Sequence, residues 1–384
     1  MERRKVESMF SSGKTRCLLV ISFIWGAILV GCGEQESPVT EQDTAGSSQQ
    51  SGSTAGSASD GAATAAESDS ASAGVAAKDT DASSSTKDPH HSVRQWLTQL
   101  VGEEATARDQ AREQLKSTDV EDELLLTLMK DSSETVRQGA AYYLTGRFVI
   151  QDIALQQAFL EALEDENSKV RQLALQMVAR MPVKTIRPAI PQLVSMLDAS
   201  AEDERNRATV ARFLGRLKIE WQQVLPALIK SVKQDPADAV RKASLFGVSR
   251  IALPKEAVPV YLHVLSQDKE VSVRRTAAVQ LGRLGPEAAA ACPELGAAMA
   301  EEDDQLSDTA AAALTRIGAK AVPELIRQVS SSVPRARRLA IYSLGVLGPP
   351  AKPAIPTLKL CLKDEDAEVR QLAEMALRKL LFVP

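Results

Sequence analysis

The sequence predicts an all-α, right-handed solenoid of about eight to nine stacked helix pairs. Three observations indicate this fold. An arginine recurs at a nearly constant step, a proline recurs between the arginines, and apolar residues follow both at helical spacing. Self-similarity at such a period is typical of repeat proteins, in which each unit packs only against its neighbours. The predicted fold therefore favours a long binding surface over a single pocket.

The arginine repeat has steps of 34, 36, 34, 33, 63 and 33 residues, and the double step contains a degenerate copy in which Ser307 replaces the arginine. Most copies have an apolar residue just before the arginine, alanine three residues after it and an apolar residue seven after it. At about 100° per residue, these three positions form one stripe, which we expect to be core. The arginines lie on the flank of that stripe. They are Arg137, Arg171, Arg207, Arg241, Arg274, Arg337 and Arg370.

The second landmark is a proline that precedes a short apolar helix in each unit. Proline is tolerated in the first turn of a helix, where its missing N–H is not needed. Each unit is therefore predicted to be a proline-initiated helix, a tight acidic turn and an arginine-bearing helix. The prolines are Pro191, Pro226, Pro259, Pro293, Pro323 and Pro356.

An aspartate stands six residues before most of these arginines. The combined pattern of Asp, Val-Arg, Ala and Leu-Gly resembles HEAT repeats, including the variants named after phycobilisome lyases, over about 105–384. The resemblance implies a HEAT/armadillo-type solenoid in which these aspartates and the arginines form a hydrogen-bonded ladder between adjacent repeats. The aspartates are Asp131, Asp165, Asp235, Asp268 and Asp364.

The ladder is expected to fail at two places, and the array is expected to be capped. Glu301 and Ser307 replace the ladder pair in the degenerate copy, and Ser331 replaces the next aspartate, so these junctions should be weaker or bent. Residues 92–101 predict an amphipathic helix whose Trp96, Leu97 and Leu100 face the first repeat. The charged last helix, 366–381, is expected to cap the other end.

The first 31 residues have the pattern of an export signal. Residues 1–32 carry five basic and two acidic groups, and the apolar run 17–30 is shorter than the ~20 residues that span a membrane. The run ends in Leu29-Val30-Gly31-Cys32, which resembles the lipobox of bacterial lipoproteins. This resemblance implies cleavage before Cys32, lipidation of its thiol and an exported, membrane-anchored protein. An uncleaved signal anchor is the alternative.

Residues 32–90 are predicted to be the lipidated cysteine and a disordered linker. Positions 33–90 contain no Leu, Ile, Met or aromatic residue and carry two basic and ten acidic groups, so they cannot bury a core. Such a chain reaches roughly 40 Å. Gly33 after the cysteine, instead of Asp, resembles lipoproteins sorted onward, which favours an outer over an inner membrane. Residues 91–384 form the repeat domain, and its near-neutral charge lacks the basic bias of nucleic-acid binders.

The repeat region contains no motif that indicates catalysis, a metal or a cofactor. His263 stands alone, and the remaining histidines end the linker. Cys292 takes an apolar slot of the repeat and Cys361 lies 69 residues later, so we expect inert, buried thiols, with a disulfide or a metal pair as the alternative. We therefore expect a non-enzyme with no cofactor, no metal, no nucleic acid and no small-molecule substrate.

The first candidate binding surface is a second arginine series, nine residues after the ladder position. These side chains are predicted to point to solvent near the last turn of each helix. One interpretation is a basic strip for an acidic partner; the other is a favourable interaction with the helix C-terminal dipole. The series is Arg180, Arg216, Arg250, Arg283 and Arg316.

The second candidate is the position six residues after the ladder arginine. It holds Tyr143, Met177 and Phe213 in the early repeats and small or polar residues later. It is either an apolar docking patch or packing between repeats.

The function predicted from these features is a membrane-anchored scaffold for protein–protein interactions at the cell envelope, with an unidentified protein partner. A phycobilisome-lyase-like HEAT enzyme and a purely structural spacer are the alternatives.

Overall fold

The computed structural model describes residues 89–149, 151–198 and 201–381. The chain divides into two units, Met1–Asp81 and Ala82–Pro384, and the described residues all belong to the second. The predicted export signal (1–31), the lipidation site at Cys32 and nearly all of the predicted linker lie outside the described residues. None of the described helices is long and apolar enough to cross a membrane.

The described residues fold into one leading helix, α1 (Pro89–Leu100), followed by helical units. In the first unit, α2 (Ala105–Ser117) and α3 (Asp122–Leu128) precede α4 (Glu134–Arg147), and in the second, α5 (Ile153–Glu161) precedes α6 (Ser168–Val178). In the third, α7 (Val183–Ile186) and α8 (Ile190–Asp198) precede α9 (Glu204–Leu217). In the fourth, α10 (Trp221–Gln234) precedes α11 (Asp238–Ile251). In the fifth unit, α12 (Pro254–Gln267) precedes α13 (Val271–Leu284), and in the sixth, α14 (Cys292–Ala298) precedes α15 (Asp304–Ile317). In the seventh, α16 (Val322–Val329) precedes α17 (Pro334–Leu347), and in the eighth, α18 (Ile355–Leu360) precedes α19 (Ala367–Leu381).

The units stack in two layers. We call the last helix of each unit, which carries the ladder position, its B helix, and the helix or helices before it its A helix. Each B helix packs against the B helices before and after it, and most A helices pack against their neighbours in the same way. The core lies between the layers. This arrangement is the predicted all-α solenoid.

The predicted core stripe of the B helices is confirmed. In α4 the residue before the ladder arginine, Val136, is buried together with Ala140 and Leu144. The same three positions are buried in α13, where they are Val273, Ala277 and Leu281. Alanine in the middle of the stripe leaves room for the A helix, because it adds only one carbon beyond the backbone.

The proline prediction holds for some units and is wrong for two. Pro293, Pro323 and Pro356 stand in the first turn of an A helix, each after a short 3₁₀ segment. Pro226 and Pro259 instead lie inside the continuous helices α10 and α12. A proline removes one backbone donor, and a helix that buries a whole apolar face can retain its other hydrogen bonds across that position.

Small residues let certain B helices approach very closely. A Cβ atom added to Gly215 of α9 would lie 2.4 Å from the Cα atom of Gly247 in α11. A Cβ atom on Gly282 of α13 would lie 3.0 Å from the Cα atom of Ala313 in α15. These glycines are therefore required by packing and not by an unusual backbone conformation.

The two ends of the stack differ. The first helix begins at Pro89, two residues before the predicted start of the repeat domain at residue 91. Leu97 and Leu100 are buried against the first unit, as expected. At the other end Leu362 is 43% exposed, although its counterpart Val329 one unit earlier is buried. No later unit covers it in the described part of the chain. The predicted charged cap is therefore incomplete, because apolar surface remains open beside it.

Gly215→Ala should lower the free energy of unfolding by about 2 kcal/mol, because the added methyl group overpacks the contact with Gly247. Gly146→Ala is the matched control: its position in α4 has no atom within 4 Å, and alanine there should stabilise the helix by about 0.5–1 kcal/mol. Urea unfolding measures both. Equal effects of the two substitutions would show that the close approach is not required.

Candidate functional site

The ladder arginines join neighbouring repeats and also fix their own loops. In Arg241, Nε and Nη2 donate to the carboxylate of Asp268 in the next unit, at 2.7 and 2.9 Å, and Nη1 donates to the carbonyl oxygens of Asp235 and Pro236 in its own A–B turn, at 3.0 Å each. The Asp268 carboxylate also accepts the backbone N–H of Glu270 at 2.9 Å. Each such arginine–carboxylate pair, which we call a rung of the ladder, therefore connects two successive turns.

The structure brings together most of the predicted ladder residues in this way. In each of these pairs the arginine contacts the acid of the following unit. Asp235, in the same unit as Arg241, accepts hydrogen bonds from the arginine of the preceding unit, Arg207. The rungs made by predicted residues are Arg137–Asp165, Arg207–Asp235, Arg241–Asp268 and Arg337–Asp364.

Two further rungs were not predicted from the sequence. Arg94 of α1 pairs with Asp131, and Arg171 pairs with Glu202 at 2.6 and 2.9 Å. The signal for Arg94 was present, because it follows a valine as the other ladder arginines do. Glu202 stands five residues before Arg207 instead of six, and its longer side chain compensates for the shift. The ladder therefore begins at the first described helix.

The expected failure at 301–307 is partly wrong. Arg274 reaches Glu301 at 2.7 Å, so a glutamate completes this rung. The Ser307 hydroxyl donates to the Glu301 carbonyl oxygen at 3.0 Å and takes over the loop contact of the missing arginine. At the next junction, where Ser331 replaces the aspartate, Arg335 bridges back to Asp304 and Asp308 at 2.7 and 2.9 Å. A different arginine therefore joins these two units.

The ladder arginines are engaged by the fold itself. The hydrogen bond to Asp268 raises the pKa of Arg241, against the opposing effect of burial, and Asp165 and Asp235 do the same for Arg137 and Arg207. The last ladder residue, Arg370, donates only to the carbonyl oxygens of Asp364 and Glu365 among the described residues. The ladder arginines that are paired with acids therefore stabilise the fold, and their charges are neutralised by it.

The second arginine series has the opposite environment. We call it the basic strip: Arg180, Arg216, Arg250, Arg283 and Arg316. All five side chains are exposed, and they stand at equivalent positions near the ends of five successive B helices. Among the described residues, no carboxylate oxygen lies within 4.0 Å of any of these guanidinium groups. Within the described ranges, the strip is therefore a row of positive charges that form no ion pairs.

Apolar side chains support several of these arginines. The guanidinium of Arg180 lies 5.3 Å from the ring centre of Phe148, and that of Arg250 lies 5.4 Å from the ring centre of Phe246. Such contacts attract the cation to the ring face and restrict its motion. The strip arginines are therefore oriented by the protein although they lack ion pairs.

The apolar docking patch is not supported. Met177 and Phe213 are buried, at 5% and 4% exposure, and Tyr143 is partly buried against the core. Arg180 donates to the Met177 sulfur at 3.8 Å, and Arg216 lies over the Phe213 ring at 5.9 Å. These residues pack between B helices and beneath the strip, because the position six residues after the ladder arginine faces the neighbouring helix.

Two more arginines extend the strip. Arg212 lies one helical turn before Arg216 on α9, and Arg275 lies two turns before Arg283 on α13. Neither has a carboxylate partner among the described residues. Positions four and eight residues apart share one face of a helix, so the spacing from the strip arginines was the available signal. The exposed face of the B layer is thus basic over its central repeats.

The remaining candidate residues do not form a reactive group. Burial, helped by Glu324 and Glu294, raises the pKa of the Cys292 thiol to about 11, and burial also raises the pKa of Cys361. Both thiols are free and buried, whereas His263 is exposed on α12. No group of three or more His, Cys, Asp or Glu side chains in the described ranges is arranged to hold a metal ion.

Comparison with known proteins identifies the family of the chain. The HEAT-repeat sequence profile matches residues 156–249, 225–306 and 292–378, which together cover more than half of the sequence. The chain belongs to the HEAT-repeat family. A HEAT-repeat solenoid suggests a protein-interaction scaffold. Among curated proteins, none matches this HEAT-repeat sequence.

Solved structures with a similar fold include two mutants of Kap121p. One has a TM-score of 0.55 and 14% identity, and the match covers 76% of this chain and 37% of Kap121p. The other has a TM-score of 0.54 and 15% identity, with 77% and 38% covered. The HEAT-repeat chain thus spans less than half the length of Kap121p. At these identities the similarity indicates the fold alone.

Arg241→Ala should lower the free energy of unfolding by about 3 kcal/mol, because it leaves the Asp268 carboxylate buried without its partner. Arg378→Ala provides the control. Its salt bridge to Glu374 is exposed on both sides, at 72% and 57%, and its loss should cost less than about 1 kcal/mol. Urea unfolding followed by circular dichroism compares the two; similar losses would contradict the role of the ladder.

Proposed function

We propose that this protein is an exported, lipid-anchored HEAT-repeat scaffold that binds a protein partner through the basic strip. The observation that carries the proposal is the row of five exposed arginines in successive repeats, none of which has a carboxylate partner among the described residues. Four of these five repeats also carry a ladder arginine, and all four ladder arginines are paired. The paired arginines therefore stabilise the fold, and the unpaired arginines are candidates for contact with a partner.

The positive charge of the basic strip favours an acidic partner. The planar guanidinium of arginine can donate two parallel hydrogen bonds to one carboxylate. It is also weakly hydrated, so arginine is well suited to interfaces. The alternative, a favourable effect of the helix C-terminus, contributes about 0.3–1 kcal/mol for each exposed cation. That effect explains a cation at each helix end, but it does not require arginine in five successive repeats, nor that all five lack an ion pair with a described residue.

The proposed anchor rests on the N-terminal sequence. Cys32 stands in the lipobox-like segment, and multiple acyl chains hold firmly because each buried CH₂ contributes about 0.8 kcal/mol. A linker with a reach of roughly 40 Å would let the repeat domain meet partners near the membrane without a fixed orientation. We place the protein at the cell envelope, with the outer membrane favoured over the inner.

The Arg216→Glu, Arg250→Glu and Arg283→Glu triple variant should lose the partner. Crosslinking in cells, followed by pull-down and mass spectrometry, should recover a reproducible protein with the wild-type chain and at least tenfold less of it with this variant. The matched control is Lys233→Glu, Lys269→Glu and Lys359→Glu, which makes the same charge change at exposed positions outside the strip. Recovery unchanged in the strip variant, or equally reduced in both, would overturn the proposed binding surface.

Cys32→Ala should abolish anchoring. The wild-type chain should sediment with the membrane fraction, and the mass of its N-terminal peptide should include acyl chains, whereas the variant should lack both properties. Arg3→Ala is the control, because it changes the basic segment of the signal and leaves the cysteine in place. Membrane retention of the Cys32→Ala chain would favour the uncleaved signal anchor.

A further inference from the structure

We propose that the basic strip binds an extended acidic polypeptide segment that carries a carboxylate at about every third residue. This inference rests on the proposed function, because it names the chemistry of the partner at the same surface. It follows from three properties of the strip: its spacing along the stack, its surroundings on the B layer and the polar nature of the face around it.

The spacing of the strip is set by the packing of the B helices. Each of five successive repeats supplies one arginine nine residues after the ladder position, at or just beyond the end of its B helix. Where two B helices pack closely, as α9 with α11 and α13 with α15, their arginines are separated by about one interhelical distance. Packed helices lie about 8–10 Å apart. The strip therefore repeats its charge at about that interval.

Contacts between the helices keep this interval short where small residues meet. Gly215 packs on Gly247 between the helices that carry Arg216 and Arg250. In the next close pair, the Arg316 side chain crosses to the neighbouring helix, because its Cδ atom would lie 3.5 Å from a Cβ atom on Gly282. Gly282 directly precedes Arg283, so the helices that carry Arg283 and Arg316 are also closely packed.

An extended chain matches this interval. A β-strand rises about 3.2–3.4 Å per residue, and a polyproline II helix rises about 3.1 Å per residue with three residues per turn. Three residues thus span about 9–10 Å, and in polyproline II every third side chain lies on the same side. A carboxylate at every third position would meet successive arginines in register.

The surroundings of the strip favour a thin chain over a broad one. The opposite ends of the B helices carry acidic turn residues such as Glu166, Asp203 and Asp303. A B helix of 14 residues separates the two edges by about 21 Å. A wide polyanion such as duplex nucleic acid would extend over the acidic edge and be repelled, whereas a single extended chain can remain over the arginines.

The composition of the face disfavours an amphipathic helix as the partner. Such a helix buries apolar anchors in a hydrophobic groove. The outer face of the central B helices instead presents exposed Gln176 and Arg212 and partly exposed Gln172 and Arg275. The apolar residues Phe148, Met177 and Phe213 beneath the strip are buried. Carboxylate–arginine contacts suit this face better than apolar burial does.

The test uses two fluorescent peptides and the purified full chain at 50 mM NaCl. One peptide contains five Asp-Pro-Ala repeats; the other has the same composition with its five aspartates in one block. Fluorescence anisotropy should give at least tenfold tighter binding for the spaced peptide, and binding should weaken at 300 mM NaCl because the charges are exposed. Equal affinities of the two peptides would overturn the register.

Variants and competitors complete the test. The Arg216→Gln, Arg250→Gln and Arg283→Gln variant, whose fold is checked by circular dichroism, should lose at least tenfold in affinity, and Lys233→Gln, Lys269→Gln and Lys359→Gln should change it less than twofold. Single-stranded DNA, or a helical peptide with an acid at every seventh residue, that competes as well as the spaced peptide would overturn the inference.

The outcome is separable from that of the proposed function. If neither peptide binds while partner recovery from cells still requires the strip arginines, the acidic-segment inference fails and the scaffold proposal stands. If the spaced peptide binds but partner recovery does not depend on the strip, the proposed cellular function fails.

Discussion

The structure depends on one repeated interaction, the arginine that connects two successive turns. Its guanidinium donates to carbonyl oxygens of its own A–B turn and to the carboxylate of the next turn, as Arg241 does to Asp235 and Asp268. Because the same group fixes both turns, it sets the position of each unit relative to the next. The central rungs are also the most buried, so their partners cannot be replaced by water without cost.

This regular connection gives the outer surface its period. Because successive B helices stack in the same order along the array, a residue type repeated in the sequence forms a row on the surface. The ladder row stands at the N-terminal ends of the B helices and is neutralised by acids, whereas the basic strip stands near their C-terminal ends and is not. Cations near helix C-terminal ends agree with the helix dipole, whereas the ladder cations stand near the positive ends of their helices and depend on their acids.

Much of this organisation could be predicted from the sequence, because the repeat is strong and its apolar stripe has helical spacing. The predicted core and the repeat family are confirmed, and the predicted aspartates and arginines occupy the rungs. The missed features depend on three-dimensional detail. Glu202 acts through a longer side chain from a shifted position, Arg335 bridges a junction that the repeat pattern leaves empty, and the burial of Phe213 depends on how closely two helices pack.

Arginines on one helix have separate roles, and α11 allows a direct comparison because it carries both Arg241 and Arg250. The decisive measurement is the free energy of unfolding of the Arg250→Gln variant relative to the wild-type chain. We expect a loss of less than about 1 kcal/mol, since only the contact between the exposed Arg250 side chain and the Phe246 ring is removed. A loss of about 3 kcal/mol, the size expected for a buried ladder pair, would show that the strip arginines also hold the fold together.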